Sequence, residues 1–277
     1  MSTPLPKFGL ALRESRRARK LSQLDLANGA DISQRHLSFL ESGRSRPSRV
    51  MVLQLSEAMG LPLRDRNRLL LCAGFAPIFP ERRLDSPDMA PVRQALNHLL
   101  QHHEPYPALI VDRRWNLIQS NRAGHGLLGL TGDAESLWQR ACGDGQKNIM
   151  QLLLHPDGLR PFLRNIEEIA PAMILRLQRE ALEDSRVAEI LHQILGLPNL
   201  PKRWTQGELG SLPLPLLPIC LQANGARLNL FTMISTFGTP QDLTTDELRV
   251  ETMFPMDAGS ESLLRSMAAA DQAQKAA

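Results

Sequence analysis

Polar side chains suited to reading nucleobase edges stand at the start of a short predicted helix. Gln34 and Arg35 lie in its first turn, and Ser38 and Phe39 follow one turn later. Glutamine pairs bidentately with adenine and arginine with guanine, and each good pair contributes ~1–3 kcal/mol of discrimination. We therefore expect these four residues to read bases. For Gln34 the alternative is a solvent-facing residue, and Phe39 is equally suited to touching a thymine methyl group or packing beneath the following loop.

Basic residues flank this helix in sequence. The first 49 residues carry ten basic and four acidic side chains, a net charge of +6, whereas the whole chain of 277 residues carries only +3. Such an uneven distribution indicates a polyanionic partner for this end of the chain alone. A solvated arginine face is the alternative for residues 13–20. The candidate phosphate contacts are Gln23, Arg13, Arg17, Arg44, Arg46 and Arg49.

Two short helices must position these side chains. Ser22 and Ser33 each precede a helical pattern as an N-cap, and Gly29 lies in the polar break between the two patterns. The pattern predicts a first helix over residues 23–27 and a second that ends at Gly43. The side chains expected to face inward are Leu21, Leu24 and Ala27 in the first helix, and Leu37 and Leu40 in the second.

The segments LRESRR (12–17), LSQLDLA (21–27) and LSFLESGR (37–44), with Pro47 and Ser48, resemble the XRE/Cro-repressor family of helix-turn-helix domains. The resemblance covers roughly residues 7–75. It implies an all-α, five-helix, lambda-repressor-like DNA-binding domain, which we place at residues 1–78. A DNA operator is the partner that it implies. Proline and charged residues then predict a linker over residues 79–88.

The rest of the chain mixes strands and helices. Apolar runs at 106–112 and 115–120 predict a hairpin that is followed by a short helix. Asn224-Gly225 separates two later apolar runs, 216–221 and 227–237, and is a strong hairpin signal. Helical patterns fill the middle and the end of this half, so the predicted sheet is split by inserted helices. The predicted helices are 89–101, 159–183, 186–195 and 260–270.

YPALIVDRRWNLIQSNRA (106–123), NIMQLLLHP (148–156) and LFTMISTFGTP (230–240) are similar to the MmyB-like ligand-binding domain. This resemblance implies an α+β, PAS-like sensor domain, which we place at residues 89–266 before a flexible tail at 267–277. It also implies a pocket for a small amphiphile, with a fatty acid favoured. The low aromatic content of 4% is consistent with aliphatic pocket walls, although such walls are more often simply core.

A carboxylate head group needs a cation or an amide to anchor it. The candidate ligand contacts are Trp115, Asn121, Arg122, Asn148, Arg176 and Arg179. For the arginines, a surface or interdomain salt bridge is the alternative. His98 and His102 are four residues apart on a predicted helix, a spacing that suits zinc, but no third ligand is evident in the sequence. We therefore expect neither a metal nor a cofactor.

Two classes of function fit these features. One is a dimeric regulator whose DNA affinity changes with a bound small molecule, and the other is a DNA-tethered enzyme such as a self-cleaving or peptidase-type repressor. The sequence lacks H-E-x-x-H and G-x-S-x-G motifs, which favours the non-enzymatic class. Three widely spaced cysteines and no apolar run of ~18 residues predict a reduced, cytoplasmic protein without a membrane partner.

Overall fold

The computed structural model describes residues 7–182, 184–205 and 216–276, and it contains two compact units. The N-terminal unit consists of the described residues up to Met89 together with Phe237–Asp246. The C-terminal unit consists of the described residues in Ala90–Thr236 and Glu247–Ala277. Neither unit is therefore continuous in sequence.

Five helices form the bundle of the N-terminal unit, which confirms the all-α prediction. Ser22, Ser33 and Ser48 cap three of them, each accepting a hydrogen bond from a backbone N–H three residues later. Gly43 ends the third helix with a φ of 76°, a left-handed conformation that glycine adopts without strain. The helices are α1 (Lys7–Ala18), α2 (Gln23–Gly29), α3 (Gln34–Ser42), α4 (Arg49–Ala58) and α5 (Leu63–Cys72).

The inward face of α2 differs from the one expected. Leu24 is 51% exposed, whereas Leu26 and Ala27 are buried. Leu21 and Ala30 frame the short helix, and both pack in the core. The step from Leu21 to Leu24 looked helical, but Leu21 precedes the N-cap, so helical spacing does not apply across it. In α3, Leu37 and Leu40 are fully buried as predicted.

A buried ion pair joins α1 to α3. Nε of Arg16 lies 2.6 Å from Oε1 of Glu41, and the amide of Gln23 donates to Oε2 of the same carboxylate at 2.8 Å. Burial alone raises the pKa of Glu41, but the hydrogen bonds from Arg16 and Gln23 outweigh it, so the pKa lies below its ordinary value. The ionised pair therefore stabilises the packing of α1, α2 and α3.

The segment Phe237–Asp246 completes the N-terminal unit. Asp242 accepts hydrogen bonds from the backbone N–H of Arg82 at 3.2 Å and from its guanidinium at 3.1 Å. A carboxylate oxygen of Asp246 accepts the N–H of Leu63 at 3.0 Å, at the start of α5 where Pro62 offers no side-chain cap. Residues 79–88, expected to be a linker, thus pack against this segment.

One antiparallel five-stranded sheet, with the strand order β2-β1-β5-β4-β3, forms the centre of the C-terminal unit. The predicted Asn224-Gly225 turn joins β3 to β4, and both residues have positive φ, 49° and 79°. Helices follow β2 and separate it from β3, which confirms the α+β prediction with inserted helices. The strands are β1 (Ala108–Val111), β2 (Leu117–Ser120), β3 (Ile219–Ala223), β4 (Ala226–Ser235) and β5 (Arg249–Pro255).

The helices of the chain after α5 are α6 (Ala90–His102), α7 (Arg122–Gly129), α8 (Ala134–Cys142), α9 (Ile149–Leu154), α10 (Ile166–Ala181), α11 (Ser185–Leu195), α12 (Leu243–Glu247) and α13 (Ala258–Ala276). The last of these includes most of the tail that we expected to be flexible. The helix predicted over 159–183 is interrupted instead. Asn165 breaks it, because its side chain bonds the N–H of Cys220 and the carbonyl of Pro218.

Candidate DNA-binding surface and ligand cavity

The first turn of α3 presents its polar side chains to solvent. Gln34 and Arg35 are exposed, and Ser38 is half-buried, while Leu37 and Leu40 on the opposite face fill the core. Because buried leucines fix the rotation of the helix, the outward direction of Gln34 and Arg35 is fixed too. This arrangement suits a helix that inserts its N-terminal end into a major groove.

Phe39 lies among arginine side chains. Its ring is half-buried, and the guanidinium carbons of Arg35 and Arg44 lie 5.4 Å and 5.7 Å from its centroid. Its carbonyl also accepts the N–H of Arg44 at 2.9 Å. Of the two roles considered for Phe39, the structure shows the packing contact with the loop that follows α3. The same ring contacts the guanidinium groups of Arg35 and Arg44.

The candidate phosphate contacts lie on both sides of α3 in sequence. Arg17, Arg44, Arg46 and Arg49 are exposed, and among the described residues none of them forms an ion pair. Arg13 is half-exposed, and its charge acts on Glu41. The side-chain amide of Gln23 is engaged by Glu41, so any phosphate contact of this residue falls to its backbone N–H at the start of α2.

The C-terminal unit encloses a cavity of about 300 Å³ between the sheet and the helices. This size is at the lower end of ordinary small-molecule sites, ~300–1,000 Å³. Leucine, isoleucine and methionine side chains from β1, β3, β5, α7, α9 and α10 form most of its wall, with Trp115 and Trp138. The described polar side chains that line it are Ser120, His125, Arg176, Thr232 and Glu251.

Trp115 is held at one end of this cavity by charged groups. Its indole N–H donates to Glu180 at 2.9 Å, and the guanidinium carbons of Arg176 and Arg249 lie 4.6 Å and 4.8 Å from its ring. Both arginines also bond Glu180. Trp115 has a φ of 68°, an unfavourable value for a bulky residue. The turn between β1 and β2, closed by Asp112, enforces it.

Glu251 is a cavity residue that the sequence did not reveal. It lies on β5, pairs with Leu109 of β1 and Ile234 of β4, and lines the cavity beside Thr232. Loss of water raises the pKa of the Glu251 carboxyl, and the opposing influences of the Thr232 hydroxyl and the Arg176 charge do not cancel this effect. A predicted strand over 249–255 would have been the only available signal.

The other expected ligand contacts lie away from the cavity wall. Asn121 caps α7 and Asn148 caps α9, and each amide bonds the backbone of a neighbouring segment, at Tyr106 and Arg114 respectively. Arg122 is exposed beside Glu104, and Arg179 is exposed on α10. Of the six expected residues, the structure thus brings only Trp115 and Arg176 to the cavity.

Two protein-family models match the sequence in the same places as these two sites. A helix-turn-helix model matches residues 12–65, across the bundle that carries α3. The model of the MmyB-like transcription regulator ligand binding domain matches residues 92–267, more than half of the chain. The chain belongs to the MmyB-like transcription regulators. Both resemblances seen in the sequence are confirmed, and the protein is a DNA-binding transcription regulator with a ligand-binding domain.

Other comparisons add little to this assignment. No curated protein matches this MmyB-like regulator. A solved structure titled "Structure of an RNA-binding Light-Oxygen-Voltage Receptor" aligns over 97% of the chain at 12% identity, with a TM-score of 0.28. The alignment covers 64% of that receptor, less than two thirds of its length. A likeness this weak carries no argument about the regulator.

The regulator has no described helix that is both long and apolar enough to cross a membrane. In the same residues, no three His, Cys, Asp or Glu side chains come together as a metal site. His98 and His102 are exposed, with their ring centroids 6.2 Å apart. The three cysteines are free thiols.

Proposed function

We propose that this regulator binds operator DNA as a homodimer and that a fatty acid or similar amphiphile in the cavity changes its DNA affinity. The observation that carries the proposal is a cavity with mostly aliphatic walls and a cationic group, Arg176, in its lining. Aliphatic walls suit an alkyl chain, and a guanidinium suits a carboxylate. Because its proposed partner is DNA, we also propose a cytoplasmic location.

On the DNA side, α3 enters the major groove with Gln34 and Arg35 reading bases. Ser38 and Phe39 lie one turn along the helix and complete the base-reading set. Phosphates on either side are bound by the backbone of Gln23 and by the exposed arginines, and a dimer places two such helices about one helical turn, ~34 Å, apart. The proposed phosphate-binding arginines are Arg13, Arg17, Arg44, Arg46 and Arg49.

The ligand cavity is coupled to the DNA-binding helices through the segment of chain that connects β4 to β5. Thr232 on β4 and both Glu251 and Met253 on β5 line the cavity. Between these strands the chain runs through Phe237–Asp246, which belongs to the N-terminal unit and bonds Arg82 and Leu63. A ligand that alters the separation of β4 and β5 changes where this segment is held. Such coupling requires that the ligand bind the two states with different affinity.

The test is DNA binding by the full chain with and without ligand. We expect that protein delipidated under mild conditions and protein saturated with dodecanoate will bind the DNA upstream of its own gene with affinities that differ by at least fivefold, the lower end of ordinary coupling (~5–150-fold). Native mass spectrometry will report the oligomeric state and any co-purified ligand. Identical affinities in the two states, with dodecanoate bound, would refute the coupling.

A further inference from the structure

The proposed ligand function leaves one group in the cavity unexplained. Glu251 is a carboxyl group in an aliphatic wall, and no described lysine or arginine forms an ion pair with it. Arg176, which also lines the cavity, is instead hydrogen-bonded to Glu180 at 3.1 Å. The side chain of Glu251 is half-buried, and an acidic group that loses water without a cationic partner is costly in the ionised form and is retained more easily with a proton.

The charges around this end of the cavity favour an anion. Arg176 and Arg249 contribute two positive charges, and Glu180, which both of them bond, contributes one negative charge. With Glu251 neutral, this cluster keeps one unit of positive charge. With Glu251 ionised, that charge is cancelled. The protonation state of one residue therefore decides whether the polar end of the cavity attracts a negative head group.

The remaining described neighbours of Glu251 do not change this balance. From β1 and β4 the adjoining side chains are uncharged, Leu109 and Thr232. On α13, the charges of Glu261 and Arg265 pair with each other and with Tyr106. Among the residues that the structure describes, the other titratable side chain on the cavity wall is His125 of α7, which is exposed.

We propose, building on the proposed ligand-binding function, that Glu251 donates a hydrogen bond to the head group of the ligand and selects acidic amphiphiles over cationic ones. The anionic head then lies between the protonated carboxyl of Glu251 and the guanidinium of Arg176. Loss of water raises the pKa of Glu251, which favours the protonated form that donates this bond. Ligand release follows when the pH rises through that raised value, because the ionised carboxylate both loses its donor and repels the anion.

The experiment uses three probes that share a dodecyl chain and differ in the head group: dodecane-1-sulfonate, dodecylamine and dodecanol. The sulfonate stays ionised throughout, so any pH dependence of its affinity belongs to the protein. For the wild type, we expect calorimetry to show tighter binding of sulfonate than of amine. Above the raised pKa of Glu251, the sulfonate affinity should fall by up to about tenfold per pH unit, as for one linked proton.

Glu251→Gln keeps an N–H donor but has no proton to lose. We expect this variant to bind the sulfonate about as well as wild type at low pH and to show no decline as the pH rises. Dodecanol binding and far-UV circular dichroism will establish that its cavity is intact. The matched control is His125→Gln, which should keep the wild-type decline.

Each remaining outcome has a definite meaning. A decline that persists in Glu251→Gln, or that disappears in His125→Gln, would overturn the role of Glu251. Tighter binding of dodecylamine, lost in Glu251→Gln, would overturn it as well and make the site a cation site. If none of the three probes binds the wild type at any pH, the proposed ligand function itself fails.

Discussion

The indole nitrogen of Trp115 lies 2.9 Å from a carboxylate oxygen of Glu180, and this bond ties the turn between β1 and β2 to α10. Trp115 lines the cavity, and Glu180 holds the two arginines beside it. A ligand that reaches Arg176 therefore changes the surroundings of an indole ring. Tryptophan fluorescence should report binding directly.

We expect Trp115→Phe to remove a large part of the fluorescence change that dodecanoate causes, with Trp138 providing the remainder because it also lines the cavity. Trp204→Phe is the control, since Trp204 is buried outside the cavity and bonded to Glu167. Titration of both variants with dodecanoate is the measurement. A full signal in Trp115→Phe would place the ligand elsewhere.

Replacing Arg176 with Gln should weaken binding of an anionic amphiphile by about tenfold, because a hydrogen bond to a charged group contributes ~1.5 kcal/mol or more. Dodecanol binding should change far less. Arg179→Gln, three residues further along α10 and exposed, is the matched control. Calorimetry on the three proteins measures the effect. Equal losses for dodecanoate and dodecanol would show that Arg176 only supports the fold.

On the DNA surface, Arg35→Ala should lose ~1–3 kcal/mol of preference for the operator over unrelated DNA. Arg46→Ala should weaken binding to both sequences equally and reduce the slope of log K against log salt by about 0.9. Fluorescence anisotropy with two duplexes at several salt concentrations separates the two behaviours. Loss of affinity by Arg35→Ala on both duplexes alike would remove Arg35 from the base-reading set.

The ion pair between Arg16 and Glu41 should make the N-terminal unit sensitive to acid. The pKa of Glu41 is lowered in the folded protein. Glu41 therefore contributes stability at pH values above its unfolded pKa, ~4.3, and this contribution disappears as the pH falls through the lowered folded pKa. Glu41→Gln leaves Arg16 buried without its partner, at a cost of ~3–5 kcal/mol near pH 7. Urea unfolding at pH 7 and pH 3 measures the difference.

Glu14→Gln serves as the control for Glu41→Gln, since Glu14 is exposed on α1. We expect its unfolding to follow the wild type at both pH values. The difference in the free energy of unfolding between Glu41→Gln and the wild type should be smaller at pH 3 than at pH 7. A gap that stays constant with pH would mean that the ionised pair contributes no more than packing.

The bonds between Arg82 and Asp242 should transmit the ligand signal. In Asp242→Asn we expect dodecanoate binding to persist, while its effect on DNA affinity shrinks to less than half of the wild-type effect in free energy. Asp88→Asn is the matched control, because Asp88 contacts the same arginine at 3.4 Å but is 75% exposed. An unchanged ligand effect in Asp242→Asn would exclude this route of coupling.

Local signals in the sequence explain what could be predicted. Ser22, Ser33 and Gly43 mark helix ends through their own chemistry, and Asn224-Gly225 specifies a two-residue turn whatever surrounds it. These signals need no knowledge of the rest of the fold. They fixed α3, and with it the outward direction of Gln34.

Long-range contacts explain what was missed. The central strand β5 carries Arg249 and Glu251, which look like surface residues in sequence. Arg249 forms an ion pair with Glu180 on α10, and Glu251 faces the cavity. In the same way, the break before α10 depends on bonds from Asn165 to β3, far along the chain. Contacts between residues so far apart in sequence produce no periodic pattern. Neither the cavity position of Glu251 nor the break before α10 could therefore be predicted.

The divided N-terminal unit has a consequence for synthesis on the ribosome. Helices α1 to α5 are complete once Met89 has emerged, but the last segment of the unit begins only at Phe237. At ~5–20 residues per second, residues 90–236 take roughly 7 to 30 s to translate. Throughout that interval the nascent bundle lacks Asp242 and Asp246. The backbone N–H of Leu63 at the start of α5 therefore lacks the carboxylate that accepts it in the complete unit. The N-terminal unit is thus complete only after most of the C-terminal unit has been synthesised. A transcript truncated within the C-terminal unit therefore yields no complete N-terminal unit.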